Sequence, residues 1–300
     1  MFHREPDLAG HHTSATRENA IGGLWLLADM SLNIWALSIV KALGLDYSSA
    51  QLVFLRALTG LVLILPWIWR ASADFRKPDR LTLHFFRVAA STVALTTSFF
   101  AIARLPLALV TAINFTRPIL TMVLAVLFLK EMIGPRRWIA AAIAFVGVLI
   151  AVSPGSVPFS WGLPAIAMTV LAGTSAVILT RKLADVPLVV MMTFYTAGLA
   201  VLVFPLAVIT WVPVKSEHAL PLIAIGVCAQ CAQFCFLNAH RRAAAAFLAI
   251  LSYLSLPLSA GVGFFAFGES LSVNFLIGAC LIVCASAWTG LRQARSGRSR

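Results

Sequence analysis

Apolar segments long enough to cross a lipid bilayer follow one another along almost the whole chain, separated by short polar or proline- and glycine-rich breaks. A membrane-spanning helix needs roughly 20 mostly apolar residues. Ten segments meet this requirement, with approximate bounds of 21–40, 51–69, 83–103, 106–129, 136–153, 161–180, 187–212, 219–239, 243–267 and 272–291. Lipid cannot satisfy unpaired backbone groups, so segments of this kind fold as helices. The sequence therefore predicts an all-α integral membrane protein with ten transmembrane helices.

The composition points the same way. Hydrophobic residues make up 60% of the chain and charged residues only 11%, whereas a soluble domain is about half apolar and about a quarter charged. A 300-residue globule of this composition could not cover its surface with polar groups. Residues 1–19 are polar and predict a short cytoplasmic tail, not a cleaved signal peptide, and residues 292–300 form a second, basic cytoplasmic tail.

The positive charges predict the orientation of the chain. If the N-terminus is cytoplasmic, most of the 23 Lys and Arg residues fall in cytoplasmic segments. The exceptions are three outside, Lys41, Arg104 and Lys215, and three within spans, Arg56, Arg87 and Arg117. The positive-inside rule therefore predicts a multi-pass protein of a bacterial inner (plasma) membrane with both termini cytoplasmic. The membrane accounts for the net charge of +12, so nucleic acid is not predicted as a partner.

The two halves of the chain resemble each other. The segment 115–131 aligns without gaps with 253–269, so that Glu131 is matched with Glu269. The same offset, extended toward the N-terminus, matches Arg104 with Arg242. Because each half has five helices, the second enters the membrane from the opposite side, which predicts inverted repeats over 20–153 and 161–291. Secondary transporters recurrently have this architecture, with the substrate site near the midplane between the repeats. The alternative to a transporter is a duplication that was kept only for helix packing. Glu131 and Glu269, which are matched by the repeat, are predicted to pair with arginines.

The segment from Ala112 to Glu131, AINFTRPILTMVLAVLFLKE, followed by GPRRWI at 134–139, closely resembles the EamA domain of the drug/metabolite transporter superfamily. The segment 253–269 resembles the same domain, although Ser255 stands where the family often has Glu or Gln. The resemblance implies a ten-helix transporter whose central cavity is lined mainly by helices 1, 3, 4, 6, 8 and 9. Members of the superfamily carry amino acids, nucleotide-like compounds, vitamins and drugs.

Ionisable residues inside a membrane are costly and therefore suggest function. Asp29 is the only acidic residue clearly inside a span, and Trp25 and Asn33 lie four residues to either side on the same helix face. This stripe could stack a planar polar ligand beside a hydrogen-bonding carboxylate, and Asp29 is also a candidate proton site. The alternative is a salt bridge from Asp29 to an arginine that fixes helix packing.

Arg117 lies near the middle of the fourth span, directly before Pro118 and one turn after Asn114. Proline frees a backbone carbonyl and weakens the helix locally. A cation, a bend and open backbone therefore coincide, which predicts a ligand-binding or gating role for Arg117. An ion pair between Arg117 and Asp29 is the structural alternative.

The remaining candidates each have a structural alternative as well. Arg87 could reach the cytoplasmic interface by snorkelling, and Gln230 and Gln233 could form interhelical hydrogen bonds. Tyr253 offers an aromatic face with a polar tip. The predicted substrate-binding residues are Trp25, Asp29, Asn33, Arg87, Asn114, Arg117, Gln230, Gln233 and Tyr253. The tryptophans at span ends, predicted to anchor the protein at the membrane interface, are Trp67, Trp69, Trp138, Trp161 and Trp211.

A secondary carrier working by alternating access is the function these features favour, because the sequence has no nucleotide-binding P-loop. Cys228 and Cys231 have metal-ligand spacing but lack a second pair, so neither a metal nor a cofactor is predicted. The residue set loosely resembles riboflavin-type and S-adenosylmethionine-type uptake carriers, which predicts uptake of a vitamin or nucleoside-like heterocycle. Amino-acid or drug export is the alternative, and a membrane-embedded enzyme or a channel would be a different class. The predicted partners are the substrate, the bilayer, and a proton or counter-substrate.

Overall fold

The computed structural model describes residues 8–70, 80–117, 120, 135–152, 158–183, 186–242, 251 and 254–296. These residues are helical apart from short connections, and they contain no β-strand. Their ten helices are α1 (Leu8–Leu43), α2 (Ser49–Arg70), α3 (Leu81–Ile102), α4 (Leu107–Asn114), α5 (Pro135–Val152), α6 (Gly162–Lys182), α7 (Leu188–Ile209), α8 (Ala219–Arg242), α9 (Ser255–Phe267) and α10 (Val273–Ser296). A short 3₁₀ turn, Ser216–His218, precedes α8.

Six helical segments of the described residues are long and apolar enough to cross a membrane: Ala20–Leu43, Ser49–Arg70, Leu81–Ile102, Gly162–Thr180, Leu188–Ile209 and Ser216–Ala239. Shorter apolar helices cover Leu258–Phe267 and Val273–Ala285. On α2 an exposed apolar stripe, Leu58, Val62, Leu65 and Trp69, follows the three- and four-residue spacing of one helix face. Lipid covers such a stripe at no cost. The predicted all-helical, multi-pass membrane protein is confirmed.

The helix bounds differ from the predicted ones at two places. α1 begins at Leu8, within the predicted tail. The fourth span, predicted as continuous over 106–129, is broken because α4 ends at Asn114 and a turn follows at 115–116. Pro118 has no amide hydrogen to donate to the Asn114 carbonyl four residues earlier, which explains why α4 ends at Asn114. The break predicted at Leu105-Pro106 is present, and most of the remaining fourth span, including Glu131, lies outside the described residues.

The helices pack in pairs that join the first half of the chain to the second. α1 packs mainly on α8, α3 on α6, α5 on α10 and α2 on α7, while α4 packs on α9. Two further contacts join α2 to α8 and α3 to α7. If α1 is exchanged with α6, α2 with α7, and so on to α5 with α10, the same set of helix pairs results. For example, the α1–α8 pair becomes the α6–α3 pair. A two-fold relation between the halves would produce this pattern.

Glu269 links three helices where α1 ends and α4 begins. Its carboxylate accepts the Leu107 amide at 3.0 and 3.1 Å, so it caps the N-terminus of α4. Lys41 pairs with the same carboxylate at 2.7 Å and also donates to the Leu105 carbonyl at 2.8 Å. The partner of Glu269 is therefore a lysine and a helix N-terminus, not the predicted arginine. We call these groups the Glu269 latch.

A second set of polar contacts lies at the same end of the bundle. The side chain of Gln51, which is fully buried, donates to the Val212 carbonyl at 2.8 Å and accepts the Val212 amide at 3.0 Å. Tyr47 hydrogen-bonds His218 at 2.9 Å, and Lys215 pairs with Asp46 at 3.4 Å. These contacts hold the start of α2 to the connection between α7 and α8.

Candidate functional site

Asp29 lies in the apolar part of α1, and only 7% of its surface is exposed. Four residues further along the same helix, Asn33 donates from Nδ2 to Asp29 Oδ1 at 2.7 Å and to the Asp29 carbonyl at 3.1 Å. Among the described residues, no Lys, Arg or His side chain lies within ion-pair distance of Asp29. The alternative ion pair between Asp29 and Arg117 is therefore not formed.

Asn33 is an exposed polar side chain on the face of α1 that otherwise packs against the bundle. Leu24 and Trp35 mark the outer face of α1, with 67% and 66% of their surfaces exposed. Asn33 lies two residues from Trp35, nearly opposite on the helix, because successive residues turn by about 100°. It lies seven residues from both Leu26 and Val40, which are buried. Asn33 is nevertheless exposed, so the packing against this face of α1 leaves an opening beside Asp29.

Aromatic rings connect α1, α8 and α2 beside this stripe. Trp25 meets Phe234 edge to face, with ring centroids 5.9 Å apart. Phe234 in turn meets Trp67 at 5.5 Å with a tilt of 50° between the rings. We call Trp25, Phe234 and Trp67 the aromatic cluster. Rings arranged in this way can stack a planar ligand or attract a cation to their faces.

A cavity of about 360 Å³ lies between α2, α7 and α8, next to the aromatic cluster. It is lined by Leu63, Ile64, Trp67, Met192, Gln230, Cys231, Phe234 and Cys235. Gln230 lies close to Gly60 of α2, where an added Cβ would come within 2.8 Å of its Oε1 atom. Neither Gln230 nor the half-buried Gln233 hydrogen-bonds another described residue, so the structural alternative, interhelical hydrogen bonds, is not formed among these residues. The Gln230 amide is available to a ligand in the cavity.

Arg117 lies directly after the turn that ends α4, and its side chain crosses to α6. Its Nη2 atom donates to the Thr169 carbonyl at 3.5 Å. Gly173 lies one turn further along α6, and a Cβ added there would be 2.9 Å from Nη2 and 3.1 Å from Cζ of Arg117. The missing side chain of Gly173 thus leaves room for the guanidinium between the two halves of the chain.

Three buried polar atoms, one on α3 and two at the end of α4 and just after it, have no hydrogen-bond partner within the part of the chain that the structure describes: Thr96 Oγ1, Asn114 Oδ1 and Arg117 Nε. Beside Thr96, Thr97 hydrogen-bonds Thr169 of α6 at 2.8 Å. Leaving a buried polar atom unsatisfied costs about 1–3 kcal/mol. A bound water or a ligand with both donor and acceptor groups would remove this cost. We call Asn114 Oδ1, Arg117 Nε and the position of Gly173 the Arg117 pocket.

Arg87 joins three helices and is 6% exposed. Its Nε atom donates to Thr180 Oγ1 of α6 at 2.7 Å, and Nη1 donates to the Met191 carbonyl of α7 at 3.2 Å. The guanidinium also lies over the Tyr195 ring, with Cζ 5.5 Å from its centroid. These contacts hold Arg87 inside the bundle, so it does not snorkel to the interface. They occupy two of its donor groups in helix packing.

The sequence did not assign two members of the aromatic cluster to the site. Trp67 was predicted to be an interface anchor with Trp69, yet the two lie on different faces of α2 and only Trp69 belongs to its lipid stripe. The two-residue spacing could have revealed this, because residues two apart cannot share a helix face. Phe234 gave no such signal among many phenylalanines. Tyr253 lies outside the described residues.

The thiols Cys228, Cys231 and Cys235 are free. Within the described ranges, no group of three or more His, Cys, Asp or Glu side chains is placed to hold a metal ion. The site therefore offers aromatic faces, an amide, a carboxylate and a guanidinium. Such groups can bind and release an organic molecule by stacking and hydrogen bonding.

Comparison with known proteins identifies the family to which the first half of the chain is similar. Residues 21–153 match the EamA-like transporter family. The matched region begins at the first apolar span and ends with α5, and it contains Trp25, Asp29, Asn33 and Arg117. The predicted resemblance to the EamA domain is therefore confirmed.

Relatives similar to nearly the whole chain carry transporter names. An S-adenosylmethionine uptake transporter of Rickettsia bellii is 28% identical over 277 residues, covering 91% of this chain and 94% of its own. A riboflavin transporter of Brucella anthropi is 29% identical over 264 residues, covering 84% and 90%. A solved crystal structure superposes with a TM-score of 0.64 at 20% identity, covering 94% of this chain and 99% of that one, and so shares the fold.

Proposed function

We propose that this protein, an EamA-family metabolite transporter, takes up a vitamin or nucleoside-like heterocycle across the bacterial inner membrane by alternating access. The observation that carries the proposal is the Trp25–Asp29–Asn33 stripe of α1. There a carboxylate without an ion-pair partner among the described residues lies one turn from the edge-to-face rings of the aromatic cluster and beside the exposed Asn33 amide. No catalytic residue is proposed, because nothing in this set suggests bond breaking.

The proposed architecture is ten transmembrane helices in two inverted repeats, 20–153 and 161–291, with both termini in the cytoplasm. The exchange pattern of the helix pairs supports it, since α1 on α8 and α3 on α6 are the same pair after exchange of the halves. The distribution of Lys and Arg supports the orientation. Inverted repeats place a substrate site near the midplane between them, and both the α1 stripe and the Arg117 pocket lie where the halves meet.

The substrate contacts we propose fall into two groups. The ring system stacks within the aromatic cluster, and its polar edge bonds Asp29, Asn33 and the amides of Gln230 and Gln233. The Arg117 pocket, with Asn114, binds a carboxylate or carbonyl group, since a planar guanidinium donates well to two oxygens. Arg87 and Tyr253 complete the proposed set, with Arg87 acting chiefly by holding α3 against α6 and α7.

The names of the relatives support this choice of substrate. S-adenosylmethionine and riboflavin differ in size and charge, yet both contain a planar nitrogen heterocycle with hydrogen-bonding edges. A stripe that combines a tryptophan, a carboxylate and an amide suits this shared chemistry. Movement of a proton or counter-substrate in exchange is part of the proposal, with Asp29 as the candidate proton carrier.

The experiment that tests the proposal is uptake of radiolabelled S-adenosylmethionine and riboflavin into proteoliposomes. Trp25→Ala should reduce uptake by about 5- to 150-fold, since a stacked ring contributes about 1–3 kcal/mol. Trp35→Ala is the matched control, because Trp35 lies on the outer face of the same helix with 66% of its surface exposed. Equal effects of the two substitutions would remove Trp25 from the site.

The same vesicles distinguish other functions. Chromatography of their contents should recover the labelled compound unchanged. A product of altered mass would indicate an enzyme instead of a carrier. Accumulation of a labelled amino acid or drug with neither heterocycle competing would assign the protein to another substrate class.

A further inference from the structure

We propose that Asp29 is the counter-ion of a positively charged centre on the substrate, such as a sulfonium or a quaternary ammonium group. This inference rests on the proposed carrier function and narrows its substrate class. A charged substrate would be preferred over a neutral heterocycle of the same shape. Three observations support it.

The first observation is the unbalanced carboxylate. Asp29 is 7% exposed, and its side chain receives one hydrogen bond, from Asn33 at 2.7 Å. Two other arginines predicted within spans bind elsewhere: Arg117 donates to the Thr169 carbonyl, and Arg87 donates to Thr180 and to the Met191 carbonyl. A buried carboxyl group is normally either paired with a cation or held neutral by a proton. With no partner in the described protein, a cation on the ligand is the natural complement.

The second observation is access. Asn33, the hydrogen-bond partner of Asp29, is exposed although it lies on the otherwise buried face of α1, between Leu26 and Val40. A ligand that contacts the exposed Asn33 amide is therefore within reach of the Asp29 carboxylate as well. The amide holds one carboxylate oxygen, and the second oxygen has no partner among the described residues.

The third observation is the ring surface beside the carboxylate. Trp25 lies one turn before Asp29 and meets Phe234 edge to face at 5.9 Å, and Phe234 meets Trp67 at 5.5 Å. Ring faces attract sulfonium and methylated ammonium groups, and tryptophan does so best. A carboxylate and aromatic rings in one place form the usual environment for a desolvated organic cation. A neutral isoalloxazine ring would use the rings but would leave the carboxylate unbalanced.

The test is competition for uptake in proteoliposomes by two compounds that differ by one methyl group and one charge. S-adenosylmethionine carries a sulfonium, and S-adenosylhomocysteine has a neutral thioether at the same position. The wild-type protein should bind the sulfonium compound at least about 30-fold more tightly. Asp29→Asn should reduce this preference to about 3-fold or less by weakening S-adenosylmethionine alone, whereas Asp29→Glu should keep it.

Each result decides the matter. Equal inhibition by the two compounds in the wild-type protein overturns the proposal, and this arm needs no variant to fold. An Asp29→Asn variant that keeps the preference but loses the dependence of uptake on a proton gradient also overturns it, by assigning the carboxylate to proton coupling. If Asp29→Asn does not fold, Asp29→Ser, which still accepts the Asn33 hydrogen bond, replaces it. Uptake of riboflavin alone refutes the cationic centre and leaves the carrier function intact, whereas uptake of none of the compounds refutes the carrier function.

Discussion

The Glu269 latch allows a quantitative prediction about stability. The side chains of Lys41 and Glu269 are only 17% and 11% exposed, and their charged atoms are 2.7 Å apart. Breaking a buried ion pair by removing one partner costs about 3–5 kcal/mol. Because the pair lies at helix ends, where some water reaches it, we expect Glu269→Gln to lower the free energy of unfolding by about 2–3 kcal/mol.

Glu269→Ala should cost about 1 kcal/mol more, since it also removes the cap from the α4 amide of Leu107. A double-mutant cycle with Lys41→Met separates the ion pair from the cap. We expect a coupling energy of about 2 kcal/mol between positions 41 and 269, within the usual range for residues in contact.

The assay is unfolding by a denaturing detergent in mixed micelles, followed by tryptophan fluorescence. Glu217→Gln is the matched control, because Glu217 lies at the same end of the bundle with its side chain 72% exposed. Its substitution should change the free energy of unfolding by less than about 0.5 kcal/mol. A value for Glu269→Gln no larger than that of the control, or a coupling energy near zero, would refute the latch.

Three further predictions concern the site and the orientation. Gly173→Ala should weaken substrate binding about 10-fold, because the new methyl group displaces the Arg117 guanidinium. Gly261→Ala is the control and should leave binding unchanged, because the new methyl group has open space around it. Equal effects of the two substitutions would contradict the Arg117 pocket. Arg117→Lys keeps the charge but loses the planar fork, so substrate affinity in uptake competition should fall at least about 10-fold; normal affinity would exclude a two-oxygen contact. In a cysteine-free background, impermeant thiol reagents should label Lys182→Cys only from the cytoplasmic side and Glu217→Cys only from outside. Labelling of both from one side would contradict the proposed orientation.

Sequence reasoning predicted the features that depend on one helix at a time. The apolar spans, the break at Leu105-Pro106 and the multi-pass architecture follow from segment length and from lipid as the solvent. The hydrogen bond between Asp29 and Asn33 follows from their four-residue spacing. In each case the interacting groups are near in sequence, so helix geometry alone places them.

Features that depend on how helices face one another could not be predicted. Lys41 and Glu269 are far apart in sequence, and only the tertiary arrangement brings the lysine, and not an arginine, to this carboxylate. The contact between Trp67 and Phe234 depends on the rotation of α2 about its axis, which the many large apolar residues of α2 leave open. Arg117 and Asp29 seemed natural partners by charge, yet Arg117 turns to α6, where Gly173 leaves room for it.

Entrance counterflow in proteoliposomes tests the central claim most directly. Vesicles loaded with unlabelled S-adenosylmethionine are diluted into a trace of the labelled compound, and internal label is followed over time; riboflavin is tested in the same way. A carrier with an alternating site should accumulate label transiently above the external concentration, and Trp25→Ala should abolish the overshoot while Trp35→Ala preserves it. Label that only equilibrates would indicate a channel. If the amount of label that enters is no larger than the amount that enters protein-free vesicles, for both compounds, the proposed carrier function is wrong.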